Sequence, residues 1–105
     1  MRRGEVWWAN LPRHEGGSRP VLILTRNAAI PVRLLLTVAP VSRTQRQILT
    51  EVRLDPADGM PKTCAVNLDS LFTLHKSLLS NRICALIPAK MGAVEDALRF
   101  ALALD

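Results

Sequence analysis

Pro20-Val21-Leu22-Ile23-Leu24-Thr25-Arg26 carries an aliphatic run with too little polar alternation for a half-exposed strand. It reads as a central strand over residues 20–26. Working outward, residues 5–10 form a first strand, residues 34–39 a third, and residues 50–54 alternate Thr, Glu, Val, Arg, Leu like a strand with one wet face. Asp55-Pro56-Ala57-Asp58-Gly59 makes a turn, and further strands cover residues 63–67, 71–74 and 78–86. After Pro88 the period changes. Met91, Val94, Ala97, Leu98, Ala101 and Leu102 recur at three and four, which predicts one apolar stripe on a helix running to the C-terminus. Six or seven short strands and one terminal helix predict a mainly β fold, a small and strongly bent barrel-like sheet.

The 105 residues have room for one domain, expected to span 1–105, with no internal repeat or linker. No stretch approaches the ~20 apolar residues that span a bilayer, and Met1-Arg2-Arg3 runs straight into Gly4-Glu5 without the apolar core of a signal peptide. A cytoplasmic protein with no membrane partner is expected. Cys64 and Cys84 sit in apolar runs and read as core thiols. Two Cys and two His scattered far apart do not make a structural zinc site, so neither metal nor cofactor is expected. Fourteen Lys and Arg against nine Asp and Glu give a net charge of +5, which favours polyanionic partners. Arginine dominates the cations, and its planar fork suits phosphate; the alternative is an ordinary basic surface.

Two segments fit neither period. Residues 11–18 (Leu-Pro-Arg-His-Glu-Gly-Gly-Ser) form a polar, glycine-bearing loop, and residues 41–47 (Val-Ser-Arg-Thr-Gln-Arg-Gln) a second one rich in donors. Loops on a rigid scaffold are where function tends to sit, so the candidate site is placed there.

Gly4-Glu5-Val6-Trp7-Trp8, a loop, and Arg19-Pro20-Val21-Leu22-Ile23 resemble the opening signature of the MazF/PemK ribonuclease toxins. Ala39-Pro40-Val41-Ser42-Arg43-Thr44 with Ile48-Leu49-Thr50-Glu51-Val52 resembles that family's second motif. Asn67-Leu68-Asp69-Ser70-Leu71, Lys76-Ser77-Leu78-Leu79 and the closing helix fit its third region. The resemblance implies an SH3-like barrel of the MazF/Kid/CcdB kind, a homodimer, and sequence-specific, metal-independent cleavage of single-stranded RNA. It also implies an acidic MazE-like antitoxin as partner. The family's recurrent catalytic pair falls on Arg19 and Ser42, where many relatives carry threonine in place of the serine; Thr44 is the other hydroxyl within the motif. One branch of the family has an Arg-x-Asp pair in the third region. Here the residues read Asn67-Leu68-Asp69, so Asp69 is carried over as a candidate and the arginine is not; a turn or cap role is the competing reading for Asp69.

These residue types suit the chemistry on their own terms. RNA supplies its own nucleophile, the 2′-OH, so the protein must position the phosphate, stabilise charge and move protons. Arg19 offers fixed donors to a phosphate gaining charge. Ser42 can orient a phosphate oxygen or the 2′-OH. His14, which titrates near neutrality, is the candidate general base, with Glu15 beside it as the alternative and a solvent-exposed loop histidine as the plain reading. Arg13, Glu15, Arg43, Thr44 and Arg46 are the expected RNA contacts, and His75 reads as structural or solvent-facing. Of the adjacent Trp7 and Trp8, one enters the core and the other faces outward, onto a base or a dimer interface. The competing function on the same scaffold is a CcdB-like gyrase-binding toxin without nuclease activity, a role that does not require Arg19 and Ser42.

Overall fold

The computed structural model describes residues 1–11 and 17–105. Its elements are β1 (Glu5–Asn10), β2 (Ser18–Ile23), β3 (Leu35–Ser42), β4 (Glu51–Leu54), β5 (Cys64–Asn67), β6 (Phe72–His75), β7 (Leu79–Ala85) and α1 (Pro88–Ala101). The strands lie in the order β4-β5-β3-β2-β1-β7, with β6 also paired to β3 and every pairing antiparallel. The sheet is curled into a half-barrel closed by the helix, the expected mainly β architecture.

The aliphatic run is central, flanked by β1 and β3, but the strand is shifted toward the N-terminus relative to residues 20–26. Leu24 makes only one further ladder bond, its N–H to the Thr37 carbonyl at 3.0 Å. Ala29 N–H then turns back to the Arg26 carbonyl. β3 in turn runs past the expected end at residue 39 through Pro40 to Ser42. On one edge of β3, β6 pairs residues 35–38 and β5 takes over at Val41↔Val66 and Ser42↔Ala65; on the other edge, β2 pairs residues 38–40, Pro40 included. Ser42 is therefore the end of a strand rather than part of a loop.

Alternation gives the sheet two apolar faces. Val6, Leu22, Ala39, Val41, Val66 and Leu54 form one, covered by Val94 and Ala97 of α1. Ala9, Val21, Ile23, Leu36 and Val38 form the other, covered by Ile30 and by Leu79 and its neighbour Leu78. Trp7 packs against this second cluster, whereas Trp8 is half-buried on the opposite side. The predicted helical stripe holds from Met91 to Ala101, but α1 stops at Ala101 and Leu102 lies exposed beyond it. No described helix is long and apolar enough to cross a membrane. Cys64 is buried and Cys84 half-buried, both as free thiols, and burial pushes both above the usual cysteine range.

One polar group is built into this frame. Glu5 is 6% exposed. Its Oε1 accepts from the Trp7 indole and the Arg2 amide, each at 2.9 Å, and its Oε2 accepts from Arg82 Nη1 at 3.2 Å. Burial alone would raise this carboxyl; the Trp7, Arg2 and Arg82 donors together outweigh it, and the pKa lies below the ordinary value. Because the folded pKa is the lower one, the stabilisation is fully present above the unfolded value of about 4.3 and is lost as pH falls through the folded pKa. Glu5→Gln is expected to cost about 1–2 kcal/mol at neutral pH by weakening these bonds. In chemical denaturation, the gap between wild type and variant should close as pH falls below about 4. A gap that stays constant down to pH 3 would contradict the assignment.

Candidate active site and nucleic-acid interface

The β1–β2 ladder pairs Ala9 with Arg19, and the β2–β3 ladder pairs Val21 with Pro40. The β2–β3 ladder ends at that pair; the same register extended two residues beyond it would place Arg19 opposite Ser42. Parity agrees: Arg19 alternates with Val21 and Ile23, Ser42 with Pro40 and Val38, and Val21, Ile23 and Val38 all belong to the second apolar face. Both residues are exposed where that face runs out to solvent. Neighbouring strands stand ~4.8 Å apart, so two such side chains can reach one phosphate together.

The row continues across the sheet. Ser42 pairs with Ala65, Ala65 with Arg53, and one pleat further Asn67 pairs with Glu51. Glu51, Arg53 and Asn67 therefore share a face with Arg19 and Ser42. The wet-face alternation of residues 50–54 was legible in sequence, but only the pairing shows that it borders this site. Arg53 is held by Asp55 at 2.8 Å.

The segment after Ser42 is fixed by short local contacts. Ser42 Oγ accepts from the Thr44 amide at 3.1 Å, which leaves its hydrogen free to donate to a ligand. Thr44 thus contributes its backbone to the geometry, and Ser42 is the hydroxyl that stands on the strand face. Arg46 bonds Glu51 twice, through Nε at 2.7 Å and through its backbone amide at 2.9 Å. The Glu51 side chain is 4% exposed, and this pair anchors the loop. Gln47 adopts φ +53°, the left-handed region that non-glycine residues enter only at a cost of about 1–2 kcal/mol. Arg43, Thr44 and Arg46 are all exposed around Ser42.

A match to the family described as PemK-like, MazF-like toxin of type II toxin-antitoxin system covers residues 2–102. The chain belongs to this family. A probable endoribonuclease MazF5 of Mycobacterium tuberculosis is 43% identical over 101 residues, covering 95% of this chain and 91% of that protein. Among solved structures, M. tuberculosis toxin MazF-mt6 superposes with a TM-score of 0.86 at 33% identity, covering 96% of this chain and 98% of that one. A mycobacterial endoribonuclease in complex with its cognate antitoxin gives 0.88 at 30% identity, covering 100% and 97%.

Within this MazF-like frame, the other candidates fall into two groups. Arg13, His14 and Glu15 lie outside the described residues. Asp69 is exposed in the turn after β5; its amide donates to Asn67 Oδ1 at 2.8 Å, and Asn67 Nδ2 donates to Ser70 Oγ at 3.1 Å. That is an Asx-type turn built by Asn67, the residue standing where one branch of the family has arginine. His75 caps a 3-10 turn, its Nδ1 accepting from the Ser77 amide at 3.2 Å. It lies opposite Leu35, at the far end of β3 from Ser42, and plays the structural part expected of it. Among the described residues no group of three or more His, Cys, Asp or Glu gathers in one place.

Proposed function

We infer that this chain is the toxin of a type II toxin-antitoxin pair, an endoribonuclease that cleaves single-stranded RNA by 2′-OH attack without a metal ion. The shared sheet face of Arg19 and Ser42 is the observation that most supports this reading, and residues 1–105 act as one toxin domain. The 2′-oxygen bonds to the adjacent phosphorus as the P–O5′ bond breaks, leaving a 2′,3′-cyclic phosphate and a 5′-OH. Arg19 neutralises the charge that grows on the non-bridging oxygens. Ser42, its Oγ held by the Thr44 amide, donates its proton to one of them. His14, or Glu15, takes the 2′ proton, solvent water returns a proton to the departing O5′ to give the 5′-OH, and Asp69 is a further candidate for proton handling. Arg13, Glu15, Arg43, Thr44 and Arg46 contact the RNA strand, and loop shape sets the sequence read.

The partners follow from the family, and charge and exposed apolar surface support them. An acidic, MazE-like antitoxin masks the arginines around Ser42. The toxin is a cytoplasmic homodimer. A groove of about 700 Å³ between α1 and residues 48–53 supports a second copy as neighbour. Ile48, Leu49, Ile87 and Phe100 line it and are 45–71% exposed.

The test is incubation of the purified chain with mixed-sequence RNA in excess EDTA, presented single-stranded or annealed to its complement. Cleavage confined to the single strand is expected. Intact RNA over a broad panel of sequences would reject the nuclease reading and leave gyrase binding as the next one to examine.

A further inference from the structure

The end of the molecule opposite the catalytic face is basic and almost free of carboxylates. Residues 24–50 and 70–94 contain no Asp or Glu. Arg26 and Arg33 line a recess of about 370 Å³ together with the hydroxyls of Thr25, Thr37 and Thr73. Across the 24–34 segment, Arg2 and Lys76 line a second recess of about 770 Å³. Lys76 Nζ, half-buried, is steadied by the Ile30 carbonyl at 2.9 Å and the Pro31 carbonyl at 3.5 Å, which leaves one of its three N–H groups for a ligand. The carboxylates tied to this end are already engaged, Glu95 by Arg3 at 2.9 Å and Glu5 by Arg82 and Trp7. Among the described residues no ion pair holds Arg26 or Arg33, and both are exposed.

Position is what gives this cluster meaning. It surrounds the start of β3, where Leu35 pairs with His75, and Ser42 is the last residue of the same strand. At ~3.3 Å per residue the two ends lie roughly 23 Å apart, most of the 30 × 29 × 24 Å extent of the fold. A strand of RNA at Ser42 can reach this pole only with nucleotides remote from the scissile bond. Unpaired guanidinium groups beside hydroxyls suit backbone phosphates, which need charge and donors but no base readout.

We propose that Arg26, Arg33 and Lys76 form an RNA exosite that binds backbone phosphates several nucleotides away from the cleaved bond. It rests on the endoribonuclease reading and adds sequence-independent affinity for long substrates. The test compares wild type with the double variant Arg26→Ala/Arg33→Ala, two surface changes outside the catalytic face. Binding is measured on a long single-stranded 2′-O-methyl RNA, which lacks the nucleophile and stays intact, and turnover on a minimal oligonucleotide and on a long RNA. The double variant should bind the long RNA several-fold more weakly. Its log affinity should fall with log salt less steeply by about 1.4, two phosphate contacts at about 0.7 each. KM should rise on long RNA while kcat, and both constants on the minimal oligonucleotide, stay at wild-type values. Unchanged affinity and salt slope, with the oligonucleotide still cleaved, would overturn the exosite and leave the nuclease standing. Wild type that binds no RNA at all would overturn both.

Discussion

Arg19→Ala should lower kcat for RNA cleavage by roughly 10²–10³-fold, the loss seen when one donor to a developing oxyanion is removed. The side chain is exposed near the start of β2, and the melting temperature should stay within a few degrees of wild type. Arg19→Lys keeps the charge but loses the planar fork, and should recover only part of the rate. Ser42→Ala should cost less, because the hydroxyl supplies one neutral donor where arginine supplies a charged pair. Single-turnover rates at saturating RNA separate the two effects. An Arg19→Ala variant that keeps wild-type kcat and loses only affinity would reduce Arg19 to a binding residue.

Gly59→Ala should destabilise the fold by about 3 kcal/mol, the sum of left-handed strain and a forced displacement in a packed region. Gly59 closes the 3-10 turn Pro56–Asp58 at φ +97°, its N–H bonding the Pro56 carbonyl at 3.0 Å. A Cβ built there would stand 2.7 Å from Cys84 Cβ on β7. This is where the half-barrel meets itself. The connection from β4 to β5, at one edge of the sheet, packs on β7 at the other. Met60 Sδ lies 3.6 Å from Cys84 Sγ, and Lys90 of α1 reaches Asp58 at 3.5 Å. For a domain of this size the melting temperature should drop by more than 10 °C. A shift of only a degree or two would mean that β7 can move away from the turn at little cost and that the closure is loose.

Local pattern made most of the strands readable. β1 has the bounds that its residues imply, and α1 starts at Pro88 as the change of period requires. Where the readings moved, a tertiary contact decided. The aliphatic run bounded the third strand at Ala39, but β5 pairs with β3 from Val41 onward and carries it to Ser42. Leu102 continued the apolar stripe in sequence, yet the helix stops one residue earlier and leaves it exposed. Arg19 and Ser42 could be named from motifs, but that they share a face depends on a register no local signal contains. Glu51 looked like an ordinary wet-face residue, and only the fold shows it buried beneath Arg46 as the anchor of the site loop. Likewise, the run from residue 24 to residue 50 without an acid is visible in sequence, whereas its gathering with Lys76 at one pole requires the β3–β6 pairing.

The most direct test of the account is the chemistry of the cut ends. The wild-type chain is incubated with single-stranded RNA in excess EDTA, and the termini of any products are identified by mass and by sensitivity to phosphatase before and after acid opening. The expected products carry a 2′,3′-cyclic phosphate on one fragment and a 5′-OH on the other, with neither formed from RNA methylated at the 2′ oxygen. A 5′-phosphate and a 3′-OH would mean that water, not the 2′-OH, is the nucleophile, and would contradict the roles given to Arg19 and Ser42.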